Sequence, residues 1–132
     1  MVSQRWVLHG VVVALIAFGS LSGRVQASPT NHHAPETAVC ETYRITGYAA
    51  TDYPGTTADG STTTVAALSR GEWIAAASRN VPMGATIEID GIGSYRVADR
   101  GYLDARHVDV LVATRAEAVA LTSYRRACWW QT

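Results

Sequence analysis

Apolar and polar positions alternate cleanly over Thr86-Ile87-Glu88-Ile89-Asp90, the period of a strand with one buried face. Asp90-Gly91-Ile92-Gly93 is a tight connection, so this strand is expected to pair as a hairpin with the next, Tyr95-Arg96-Val97-Ala98-Asp99. Tyr43-Arg44-Ile45-Thr46-Gly47-Tyr48 carries the same β-rich alternation, and Trp73 to Ala77 is a short apolar run. His107-Val108-Asp109-Val110-Leu111-Val112 reads as a further strand, with the valines on one face and His107, Asp109 and Leu111 on the other. Thr114-Arg115-Ala116-Glu117 is a capping box that starts a helix running to about Leu121. A last strand, around Arg125 to Trp130, is expected to bring Cys128 back beside the first. Asp52 to Thr64 is dense in Gly, Thr, Asp and Pro, which is loop chemistry. Many short strands with one or two short helices predict a mainly β domain, a six-stranded barrel.

The beginning of the chain follows another pattern. Arg5 precedes an apolar run from Val7 to Leu21, and Val25-Gln26-Ala27 offers small residues for cleavage. Residues 1–27 are thus expected to be a secretory signal. The rival reading, a membrane anchor, is short of the roughly 20 apolar residues a span needs. Residues 28–39, with two prolines and His32-His33, read as a flexible leader, and 40–132 as the domain. A lone histidine pair lacks the companion ligands of a metal site, and the aspartates lack the neighbours of a cation cage, so no metal and no cofactor are expected.

Charge narrows the partners. The 132 residues balance 11 basic against 11 acidic side chains, with no lysine, and loss of Arg5 and Arg24 leaves a mildly acidic domain. No concentrated positive face is available for nucleic acid, and neutral polymers such as glycans are the easier class. Two cysteines, Cys40 and Cys128, sit at the ends of the domain. In an oxidising compartment they can close nearly the whole fold, the other possibility being two unpaired buried thiols.

Several short signatures occur in order: Thr46-Gly47-Tyr48, Thr57-Ala58-Asp59-Gly60, Ile74-Ala75-Ala76-Ala77, Pro82-Met83-Gly84, Asp99-Arg100-Gly101 and His107-Val108-Asp109. Over Ile45 to about Cys128 this series resembles the 3D domain family, named for three aspartates. Those domains are double-psi β-barrels related to the catalytic barrel of membrane-bound lytic transglycosylase A and, more remotely, to rare lipoprotein A and expansin-like barrels. The second and third family aspartates fall on Asp99 and Asp109. Ala77 occupies the first position, the interval from Asp99 to Asp109 is one residue short, and Arg100 replaces a small hydroxyl residue.

The resemblance implies an exported cell-wall enzyme acting on peptidoglycan strands, a periplasmic, secreted or wall-associated monomer with no membrane span once the signal is removed. A lytic transglycosylase cleaves the β-1,4 link after N-acetylmuramic acid with that sugar's own 6-hydroxyl as nucleophile. One acid suffices, serving first as acid and then as base, whereas hydrolysis needs two carboxylates. The resemblance points to Asp109 as that acid, with Asp99 as its electrostatic partner. Thr46, Tyr48, Thr57 and His107 are the expected substrate-binding groups. Asp59 and Asp104 are expected as loop residues in solvent, and Trp129 and Trp130 as either sugar-stacking or core residues. The alternative is a non-catalytic glycan-binding or wall-loosening barrel.

Overall fold

Interior positions recur at every second residue of six strands, and the strands curl until the first meets the last. The computed structural model describes residues 34–132, so the expected signal segment and His32-His33 lie outside the described residues. In chain order the elements are β1 (Val39–Ala49), α1 (Thr64–Ser69), β2 (Ile74–Ala77), β3 (Thr86–Ile89), β4 (Gly93–Asp99), β5 (His107–Val112), α2 (Arg115–Ala120) and β6 (Ser123–Trp130). They form a closed barrel in the order β1-β5-β2-β4-β3-β6. Closure leaves no strand edge open to pairing with another chain.

Tyr43, Ile45, Ala75, Ile87, Val97 and Val108 are among the fully buried side chains of one interior cluster, to which each of the six strands contributes. Trp129 packs against this cluster, while Trp130 is only half-buried. The expected β3–β4 hairpin is present, with Thr86 opposite Arg96 and Ile89 opposite Gly93. Parallel pairings of β1 with β5 and of β2 with β4 interleave sequence-distant segments.

A second apolar cluster lies on another face: Tyr48, Ile74, Ala76, Ala98 and Leu111 pack beneath Ala67 of α1. This helix falls at the end of the segment read as loop. Thr63 caps it by accepting a hydrogen bond from the Ala66 N–H at 3.2 Å. The capping box of α2 is complete, since the Thr114 hydroxyl accepts from Glu117 N and the Glu117 carboxylate from Thr114 N. Gly47 of β1 lets α2 sit close, for a Cβ there would lie 2.6 Å from the Ala118 Cα.

Cys40 and Cys128 are register partners on β1 and β6 and are joined by a disulfide that spans 88 residues of sequence. Among the described residues no helix is long and apolar enough to cross a membrane.

Candidate active site

Backbone register assembles the site. Thr46 on β1 lies opposite Asp109 on β5, Asp109 lies opposite Ala76 on β2, and Ala76 lies opposite Asp99 on β4. The result is a transverse row, Thr46-Asp109-Ala76-Asp99, across four strands. The two aspartates, on strands consecutive in sequence, are separated by β2, which puts their backbones roughly 9–10 Å apart at ordinary strand spacing. Ala76, which lies between them, is buried in the second apolar cluster with Ala98 and Leu111.

A bulge puts Asp99 in the row. Ala75 pairs with Val97, but Ala76 pairs with Asp99, so Ala98 is skipped. Strict alternation would have set Ala98 opposite Ala76 and turned Asp99 to the same side as the interior Val97. One extra residue re-aims the side chain, a recurrent use of bulges beside functional sites.

Three donors fix the Asp99 carboxylate. Oδ1 accepts from the N–H groups of Ala58 at 3.0 Å and Arg100 at 2.9 Å, and Oδ2 accepts from the Tyr48 hydroxyl at 3.2 Å. Two of these are backbone donors, so Asp99 also does the work of a turn aspartate. Tyr48 is 8% exposed. Burial, followed by the neighbouring Asp99 charge and its hydrogen bond, pushes the phenol well above its ordinary value, so it remains a donor.

Asp109 is half-buried and bonded differently. Its Oδ1 accepts from the Thr46 hydroxyl at 2.8 Å, and the same hydroxyl lies 2.7 Å from Nε2 of the buried His107. Burial raises the Asp109 carboxyl above the usual range and Asp99 adds to the effect, against the opposing Thr46 bond and His107. His107 moves the other way: burial and Arg44 hold it below the ordinary imidazole value, against Asp109 and Asp104. A carboxyl with a raised pKa and an imidazole with a lowered one thus share one bridging hydroxyl.

That hydroxyl has a single hydrogen. With Asp109 ionised, Thr46 donates to the carboxylate and accepts from an Nε2–H of His107. With a proton on that carboxyl oxygen, Asp109 donates to Thr46, which donates onward to a bare Nε2. The hydroxyl therefore reverses its hydrogen bonds when Asp109 gains or loses a proton, which couples the state of the carboxyl to the tautomer of His107.

The structure thus brings together Thr46, Tyr48, Asp99, His107 and Asp109. Thr57 stands apart from the row. It is buried, and its hydroxyl is spent inside its own loop on Asp59 Oδ1 at 2.7 Å and the Thr62 carbonyl at 3.1 Å. His107 likewise sits behind Thr46, reaching Asp109 through it. Asp59 is an organiser of the loop as well as a loop residue: it accepts from Thr57, from the Ser61 N–H and hydroxyl, and from Arg96 at 2.6 Å. Burial alone would raise its carboxyl, but these donors together hold it far below the usual range. The loop so knotted presents Ala58 N–H to Asp99, a contact for which the sequence offered only the Asp59-Gly60-Ser61 turn signal.

Ala77 belongs to the interior cluster and not to the row. Among the described residues no group of three or more His, Cys, Asp or Glu side chains is placed to hold a metal ion.

Fold and site define a class: a closed, mixed six-stranded barrel with a row of two carboxylates and a bridging hydroxyl on its wall. No family model, curated protein or solved structure matches this chain.

Proposed function

We propose that the domain is a double-psi barrel of the 3D type that acts on peptidoglycan as a lytic transglycosylase. The single observation that carries this reading is Asp109, a half-buried carboxyl whose pKa burial raises and which is bonded to Thr46 in the same row as Asp99. In this reaction Asp109 protonates the glycosidic oxygen as the bond to the leaving sugar breaks. The fixed negative Asp99 stabilises the positive charge developing on the muramyl ring. Asp109, now ionised, takes the proton of the 6-hydroxyl as its oxygen closes on the anomeric carbon, giving a 1,6-anhydro end and restoring the acid. The disulfide fits an extracellular place of work, and we read the protein as exported.

The same row supports a second reading, in which the barrel binds glycan without cleaving it. The two backbone donors on Asp99 favour it, because they give that carboxylate a structural reason to exist.

Incubation of the purified protein with peptidoglycan, followed by mass spectrometry, separates the two. Anhydro-muropeptides from the native protein and none from Asp109→Asn are expected. Retention on the glycan without any such product would leave the binding module as the function.

A further inference from the structure

Arg79 and Arg100 line one open groove of about 550 Å³, together with Ser78, Asn80 and Tyr102. Arg100 is held rigidly: Nη1 donates to the carbonyls of Ala77 at 2.9 Å and Ser78 at 3.4 Å, and Nη2 to that of Val81 at 2.7 Å. Those partners are neutral, so the guanidinium charge stays whole, and Nε–H and one Nη2–H remain unspent. Arg70, Arg96, Arg106 and Arg115 each have a carboxylate oxygen within 4 Å, whereas among the described residues Arg79 and Arg100, like Arg44, Arg125 and Arg126, have none. Asp104 on the adjacent loop reaches neither, and residues 1–33 contain no Asp or Glu at all. Burial, and to a lesser degree the charge of Arg79, hold the Arg100 pKa below its ordinary value.

This groove adjoins the carboxylate row. Arg100 N–H binds Asp99 directly, and Ser78 is bonded to the His107 backbone twice, through its N–H to His107 O at 2.9 Å and through its hydroxyl from His107 N–H at 3.2 Å. A polymer lying along Asp99 and Asp109 would carry its substituents over Arg79 and Arg100.

We propose that this groove is an anion subsite that receives a carboxylate borne by a sugar of the bound polymer, with Arg79 and Arg100 as its ligands. The inference rests on the glycan reading above, and it specifies sugars that bear a free carboxylate, not one joined in an amide to a peptide, over neutral ones. Guanidinium is suited to the task because its planar fork meets a carboxylate with two parallel hydrogen bonds.

Titration calorimetry compares chitotetraose, which is neutral, with the tetrasaccharide of alternating N-acetylglucosamine and N-acetylmuramic acid, which differs by its lactyl carboxylates. The acidic sugar is expected to bind about tenfold more tightly at low salt, the advantage of a charge-assisted contact. Arg79→Gln, a change at an exposed position, should abolish that advantage and leave chitotetraose unaffected. Equal affinity for the two sugars, or equal weakening of both by Arg79→Gln, overturns the subsite. If neither sugar binds, the glycan reading fails and inorganic phosphate decides the subsite alone. A chemical-shift change at the Arg100 Nε–H signal on adding phosphate that vanishes in Arg79→Gln would keep it, and an unmoved signal would remove it.

Discussion

The Thr46 hydroxyl is the smallest unit on which the chemistry depends, since its one hydrogen must be given either to Asp109 or to His107. Thr46→Val removes the bridge at almost constant volume, and the 15N shifts of His107 should then cease to respond to the titration of Asp109. Thr46→Ser should restore that response, and a response that survives in the valine variant would show that the bridge transmits nothing. Asp109 itself makes a stability prediction. Its carboxyl is raised in the folded state, so its contribution is complete below the ordinary carboxylate value of 3.8 and is lost as pH rises through the folded value. Asp109→Asn escapes this loss, and its Tm should exceed that of the native protein by a few degrees at pH 7 and match it near pH 3. Melting curves at the two pH values measure this, and a variant less stable at pH 7 would contradict the burial of an unfavourable charge. His107 has the opposite sign: its depressed value stabilises the fold above about pH 6.5 and yields as pH falls through the folded value.

At the scale of elements, the close seat of α2 on β1 depends on the absence of a side chain at position 47. Gly47→Ala should cost about 1–3 kcal/mol in urea unfolding, as overpacked contacts do, and should shift Thr46 and Tyr48 on either side of it. Thr114→Ala, which removes the cap, should cost about 1 kcal/mol. Alternation made β3, β4 and β5 legible in the sequence, and the Thr114 capping box made α2 legible. The helix at Thr64–Ser69 was hidden because its cap, Thr63, lies in a run of threonines that reads equally well as loop. Part of the site was legible too: Thr46, Tyr48, Asp99, His107 and Asp109 do converge. The bulge was not, since skipping Ala98 reflects the pairing of β2 with β4, and nothing local in Val97-Ala98-Asp99 announces it. Thr57 was misleading for a related reason, its hydroxyl being captured by Asp59, two residues away.

For the whole molecule, the expectation of a mainly β barrel held because hydrophobic period reports burial strand by strand. Strand order was beyond that signal, as β2 lies between β4 and β5 only through contacts distant in sequence. The Cys40–Cys128 bridge encloses most of the domain, and by chain entropy such a loop contributes about 4–5 kcal/mol. Reduction should therefore lower the Tm by about 10–30 °C, and an unchanged calorimetric melt would show that the barrel closes without its clasp.

The first strand has the fifth and sixth as its neighbours, so it has no strand to zip against until residues His107–Val112 exist, and its second partner comes only with β6. Closure waits on contacts of long sequence span, which form slowly. Until β5 and β6 are present, β1 cannot be pinned into the wall.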